Sequence, residues 1–344
     1  MLMKKYQTIN HFDEIEQADW DQLLDKNNIL SPFLKYGFQR TWWKHLGGGE
    51  WENAELLIIT ASENEKLAAI APMFLTHVNG EKEIHFIGSY EICDYLDFIV
   101  SPACSQEFIE QALRIASDHL GKESGRIVLF NIPQDSPTIS ALEKINASSD
   151  TWDIHLENAY HTPIITLADD WETYLMGIDS KQRHEIRRKI RRSESSQIDK
   201  VAWHIVGEDD DLDQAIADFL AMMENDPEKE MFLTKEMRKQ MVAIMRWAAK
   251  ESVLQLAFLT INQKKAAGYI SFDHADRIWV YNSGYNLGFR QYSPGWVLLS
   301  YLIQHAINSG RTHFDFMRGD EKYKYKFGAQ DDFVKKAVII RKEV

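Results

Sequence analysis

The chain has 344 residues, 44% of them apolar and 26% charged, with two cysteines and a formal charge of −13. It is too long for one compact core and fits two domains of ordinary size. Two isolated cysteines, Cys93 and Cys104, exclude a disulfide framework and a structural zinc site, and the acidic balance disfavours free nucleic acid or an anionic membrane surface as a partner.

The first residues, MLMKKYQTINHFDEIEQ, carry no apolar signal core. No later run approaches the roughly 18 apolar residues of a membrane span, so a cytoplasmic location is expected. Asp19–Asn28 and Lys35–Leu46 read as short helices, separated by Ser31-Pro32 and ended by Gly47-Gly48-Gly49. Glu55–Ala61 and Leu67–His77 flank a polar turn and read as a hairpin. Ile84–Gly88 and Tyr95–Val100 read as strands, Gln106–Leu120 as an amphipathic helix, Arg126–Asn131 as a strand and Ser136–Ile145 as a helix. Trp152–Leu156 and Pro163–Leu167 read as strands.

The second half opens with a helix over Ser180–Ser195, followed by a strand over Lys200–Val206 and helices over Leu212–Glu224 and Lys235–Glu251. Val253–Thr260 and Ala266–Asp273 form a hairpin around Asn262-Gln263-Lys264. Then come a strand over Arg277–Tyr285, a helix over Pro294–Asn308, and strands over Thr312–Met317 and Phe333–Arg341. Glu55–Asn131 and Val253–Met317 thus repeat one order: hairpin, further strand, helix, strand. The repeat predicts a duplicated α/β fold of mixed sheets, with domains 1–160 and 161–344.

Four places carry candidate chemistry. In YNSGYNLGFRQYSPGW (281–296), Ser293 is placed to cap the helix opened by Pro294 and Gly295. An uncovered helix start binds phosphate, and Arg290 lies just upstream. In FDFMRGDEKYKYKFG (314–328), Asp315 ends a strand, where open α/β sheets place ligands. Arg318, Glu321, Lys324, Tyr323 and Tyr325 follow it. A tyrosine can protonate a leaving thiolate and a lysine can stabilise an oxyanion; a solvated charged turn is the plain alternative.

The third place is KQRHEIRRKIRR (181–192), which is net +6 and leaves the remainder of the chain near −19. Arg187, Arg188 and Arg191 share a helical face with His184, either as a solvated face or as a phosphate clamp. The fourth is Asp94-Tyr95-Leu96-Asp97, whose acids could take a proton from an amine or serve the fold. No Walker A loop, GxSxG elbow, HExxH or paired CxxC occurs, and the histidines have no metal-ligand spacing.

YNSGY (281–285), SPG (293–295) and FDFMRGDEKYKYKFG (314–328) resemble the GNAT-like acyltransferases of the CelD/BcsL (cellulose-biosynthesis acetyltransferase) group. So do SPFLKYGFQRTWWKHLGGG, APMFL, DYLDFIV and the basic helix, so the resemblance spans nearly the whole chain. That group is similar in fold to the FemABX peptidyltransferases, which use two tandem GNAT domains and aminoacyl-tRNA. The resemblance implies two tandem GNAT-like acyl-CoA N-acyltransferase domains, with the donor site in the second and the acceptor entering the cleft between them.

It further implies acetyl-CoA or another acyl-CoA as co-substrate, held by Tyr281, Asn282, Ser283, Arg290, Gln291, Ser293, Gly295 and Trp296. The Arg290–Trp296 loop stands where ordinary GNAT enzymes bind pyrophosphate, with Trp296 where a small residue is preferred. Tyr323 or Tyr325 would be the general acid, Asp315 or Glu321 the base. Lys324, four residues before Gly328 as in the Fem signature, would steady the oxyanion. Asp94, Tyr95, Asp97, Arg187, Arg188, Arg191 and Arg318 would meet the acceptor, a small molecule or saccharide amine or hydroxyl. The alternatives are a Fem-type transferase using charged tRNA and a non-catalytic accessory protein of polysaccharide biosynthesis.

Overall fold

The computed structural model describes residues 5–27, 29–51, 53–88, 91–121, 125–195 and 200–342. Asn28, the expected end of the first helix, lies outside them. The chain divides into two compact units, 1–160 with 333–344, and 161–332.

The first unit runs β1 (Lys5–Ile9), α1 (Gln17–Lys26), α2 (Tyr36–Gly49), β2 (Glu55–Glu63), β3 (Lys66–Val78), β4 (Glu81–Phe86), β5 (Ile99–Val100), α3 (Ser105–Leu120), β6 (Gly125–Pro133), α4 (Pro137–Ser148) and β7 (Trp152–His161). The second runs β8 (Ile164–Thr166), α5 (Trp171–Gly177), α6 (Ser180–Glu194), β9 (Val201–Ile205), α7 (Leu212–Met223), α8 (Pro227–Phe232) and α9 (Lys235–Lys250). It continues with β10 (Leu254–Ile261), β11 (Lys264–His274), β12 (Arg277–Tyr285), α10 (Pro294–Asn308), β13 (His313–Asp315) and α11 (Lys322–Lys326). The last strand, β14 (Phe333–Arg341), returns to the first sheet, where it pairs antiparallel with β6.

The two sheets share one plan. The first is ordered β1-β2-β3-β4-β6-β14-β7 and the second β9-β10-β11-β12-β13-β8, read from the corresponding edge. In each, antiparallel neighbours lead to a parallel pair, β4 with β6 and β12 with β13. A helix makes each crossover, α3 in the first sheet and α10 in the second, as a parallel connection requires. α3 buries Phe108, Ile109, Ala112, Leu113, Ala116 and Leu120, the spacing of one helical face. α10 buries Val297, Leu298, Leu302, Ile303 and Ala306 beneath the second sheet.

The differences from the sequence reading have local causes. The strand expected over Tyr95–Val100 shrinks to Ile99–Val100. The Leu96 N–H is taken by the Asn131 carbonyl and the Phe98 N–H by its neighbour Asp97, so neither enters a ladder. Ser293 occupies the N-cap position of α10 but makes no side-chain cap hydrogen bond, because its backbone is left-handed at φ 51°. Helices α5 and α8 were not expected; each is opened by an aspartate cap, Asp170 and Asp226. α11 was not expected either.

Candidate active site

The second unit contains a cavity of about 200 Å³ lined by residues of β11, β12, α10 and α11. Tyr269, Ser283, Tyr285, Gly295, Trp296 and Tyr323 give its chemical character. The parallel ladder of β12 with β13 covers only Arg277–Trp279. The cavity residues of β12 lie beyond its end, at the C-terminal part of the strand, where α/β sheets bind ligands. A bulge in β12 opposite Ile270/Ser271 lets Ser283 stand across from Tyr269.

Four of the residues singled out from sequence meet here: Ser283, Gly295, Trp296 and Tyr323. Gly295 is the second residue of α10, and a Cβ built on it meets nothing within 4 Å. The helix start is therefore open, and no side-chain cap from Ser293 covers its N–H groups. Among the described residues the buried Trp296 indole N–H has no hydrogen-bond partner. Its ring packs on Phe327 at 4.6 Å and carries the Lys189 ammonium at 4.1 Å. Burial lowers the Lys189 pKa, with Arg188 and Lys326 adding to the effect against Glu185.

Three tyrosines line the cavity, Tyr269, Tyr285 and Tyr323, and of these Tyr285 is exposed. Burial holds the Tyr323 hydroxyl well above the ordinary phenol range, and Tyr269 and Glu321 push it further. Tyr269 is raised by burial and then by Glu321, against a hydrogen bond with Ser283. Both are neutral proton donors at physiological pH. Tyr269 was missed from sequence because GYISF reads as an ordinary buried strand.

The other candidates are held elsewhere. Lys324 is 3% exposed, and its ammonium donates to the carbonyls of Arg318 (2.9 Å) and Gly319 (3.0 Å) and pairs with Glu321. Those partners take its three donors and leave none for an oxyanion. Asp315 is fully buried, paired with Arg277 and accepting the Met317 N–H, which suits a structural carboxylate better than a base. The Tyr325 hydroxyl donates to Asp331 and does not line the cavity. Glu321 keeps an exposed carboxylate and acts electrostatically on Tyr269, Tyr323 and Tyr325.

Tyr281 packs on Phe272, and the Asn282 side chain accepts the Ser283 N–H. Arg290 and Gln291 lie exposed just before α10. On α6, Arg187 is paired with Glu172, Arg188 with Glu185, and Arg191 donates to the Arg187 carbonyl. Asp94, Tyr95 and Asp97 belong to the first unit. Asp94 and Tyr95 are buried there, and Asp97 accepts from Ser136, Thr138 and the Phe98 N–H.

Residues 180–325 match the family described as acetyltransferase (GNAT) domain. The fold is a GNAT fold. With the same strand plan in both sheets, the chain is a tandem of two GNAT-like domains. Solved structures agree in fold. FemX superposes with a TM-score of 0.67 at 11% identity, covering 97% of this chain and 96% of that one. A conserved protein of unknown function from Bacteroides thetaiotaomicron gives 0.58 at 12% identity, covering 98% and 100%. L-PGS from Bacillus licheniformis gives 0.57 at 11%, covering 94% and 91%. No curated protein matches the sequence. Among the described residues there is no metal-binding cluster, and no helix is long and apolar enough to cross a membrane.

Proposed function

We propose that the chain transfers an acyl group, most simply acetyl, from a CoA thioester to an amine or hydroxyl of a small molecule or saccharide. The observation that carries this reading is the cavity in which two neutral phenols, Tyr269 and Tyr323, stand beside the open start of α10. N–H groups at Gly295 and Trp296 suit a pyrophosphate. Lys189 on Trp296 and exposed Arg290 add positive charge nearby. A cavity of about 200 Å³ suits a short acyl group.

In the reaction, the acceptor nitrogen forms a bond to the thioester carbonyl carbon and the carbon–sulfur bond breaks. Glu321 takes the proton lost by the acceptor, and Tyr323 or Tyr269 gives one to the leaving thiolate. Lys324 acts by fixing the Arg318–Gly319 turn and Glu321. The saccharide acceptor rests on the resemblance to the cellulose-biosynthesis acetyltransferases and belongs to this proposal. Calorimetry with acetyl-CoA at near-millimolar concentration tests it; no heat of binding would sink it.

A Fem-type reading with charged tRNA draws on the basic face of α6. Arg187 and Arg188 are already in ion pairs, which weakens that face as a phosphate clamp and favours the CoA reading. Salt-dependent association with charged tRNA, lost on charge reversal of that face, would reverse the preference.

A further inference from the structure

The first unit has a cavity of its own, of about 720 Å³, lined by none of the residues singled out for chemistry. It lies at the end of the first sheet where β6 begins and β14 finishes, beside the last turn of α3. The parallel pair of β4 with β6 starts there, with Lys82 opposite Gly125 and Glu83 opposite Arg126. This is the N-terminal end of that pair, whereas the cavity of the second unit lies towards the C-terminal end of β12. The two cavities are therefore not copies of one another, and the repeated fold does not account for this one.

Its walls combine two chemistries. Ile127 and Ile339 are buried opposite each other in the β6–β14 ladder, and Leu120 adds to them from α3. Ile340, the next residue of β14, also lines the cavity and is 46% exposed. Neighbours along a strand point to opposite faces, so the cavity wraps around the end of β14. The polar groups are mainly donors. Arg126 spends Nε and Nη2 on Glu83. Arg341 spends Nη1, on Asp118 (3.2 Å) and the Ser117 Oγ (3.4 Å). Its Nε and Nη2 edge and the ammonium of exposed Lys342 have no partner among the described residues. Trp152 is 1% exposed, and its indole N–H likewise has no partner among them. A buried donor left unpaired calls for an acceptor, and a guanidinium edge suits a carboxylate or phosphate. Glu81 and Asp153 also line the cavity, which disfavours a polyanion and favours a single charged group.

We propose that this cavity is a second ligand site, for a small molecule carrying one carboxylate or phosphate on an apolar body. The anion meets the free edge of Arg341 and Lys342, the Trp152 indole N–H donates to an acceptor on the ligand, and the body covers Ile340. The site does not depend on the acyl-transfer reading. The test uses the full chain labelled with nitrogen-15 at tryptophan. The Trp152 indole resonance is assigned with Trp152→Phe and followed during addition of phenyl phosphate, benzoate, inorganic phosphate or phenol. Phenyl phosphate or benzoate moves it to saturation at millimolar concentration, and whichever binds tells phosphate from carboxylate. Inorganic phosphate and phenol each lack one half of the chemistry and bind about tenfold or more weakly. Arg341→Gln combined with Lys342→Gln weakens binding about tenfold, while the other indole resonances keep their positions. A Trp152 resonance that stays in place with all four compounds in wild type overturns the site. Inorganic phosphate binding as tightly as phenyl phosphate overturns the apolar seat. Full affinity in the double variant overturns the placing of the anion on those two cations.

Discussion

Lys324 and Glu321 form an ion pair of 2.9 Å whose halves occupy opposite environments, the lysine side chain 3% exposed and the glutamate 57%. The buried half also donates to the Arg318 and Gly319 carbonyls. Lys324→Met strips a charged donor from both and lowers unfolding free energy by about 2–4 kcal/mol. Glu321→Gln removes an exposed partner and costs under about 1 kcal/mol. Urea midpoints of the two variants check the contrast. Under the proposed reaction Glu321→Gln is the damaging change for acyl transfer, by about 100-fold, because the proposed proton acceptor is lost while the turn survives.

Tyr323→Phe and Tyr269→Phe each remove a neutral proton donor from the cavity. Each lowers thiol release from acetyl-CoA in the presence of an amine acceptor, the double variant by about 100-fold or more. Tyr325→Phe leaves it unchanged, because that hydroxyl serves Asp331. The sign of the shifts sets the pH response. Phenols raised by burial and by Glu321 stay protonated through pH 9, so the wild-type rate shows no phenol-dependent fall there. Tyr325 is pushed up to about 12, by burial first and by Asp331 next, so it does not intrude.

Gly295 separates binding from folding. A side chain there meets open space, so Gly295→Asp does not strain the packing. A carboxylate in the first turn stabilises α10 by about 0.5 kcal/mol. The same carboxylate repels a phosphate held by those N–H groups and weakens acetyl-CoA binding about tenfold or more. Thermal melts and calorimetry on one sample read both effects, and they move in opposite directions. An unchanged acetyl-CoA affinity would remove the start of α10 from the donor site.

The fold was legible where pattern and punctuation coincided. β10 and β11 declare themselves by apolar runs around Asn262-Gln263-Lys264, and α10 by Ser293-Pro294. The repeated order of hairpin, strand, helix and strand was readable because each crossover needs a helix. Short helices were not, since α5, α8 and α11 are too brief to display a helical period. Within the site, Ser283, Gly295, Trp296 and Tyr323 sit in recognisable motifs. Tyr269 joins them through the β11–β12 register that sets it opposite Ser283. Lys229, on the helix Pro227–Phe232, meets the Ser283 carbonyl because α7 packs on Gly284. Neither relation is written in local sequence. Asp315 shows the converse: its type suggested chemistry, while its partner Arg277 lies 38 residues away and makes the pair structural.

Asp97 gives the first unit a pH signature of its own. Part of the residue's surface stays exposed, but its carboxylate is enclosed and accepts from Ser136, Thr138 and the Phe98 N–H. Burial outweighs those bonds and raises its pKa from 3.8 to about 6. A carboxyl raised on folding favours the fold while protonated. Its contribution is present below about pH 4, is lost as pH rises through 6, and is level above that. Asp97→Asn removes this slope, so the variant gains on wild type between pH 4 and 6 and holds the gain at pH 7. Glu83 acts with the opposite sign. Hydrogen bonds and charge from His85 and Arg126 overcome its burial and lower its pKa, so its contribution is lost as pH falls. The acid limb of a urea-denaturation series thus survives Asp97→Asn, and only the decline from pH 4 to 6 disappears. Identical curves for wild type and Asp97→Asn across that window would mean that the three hydrogen bonds, rather than burial, govern the carboxylate.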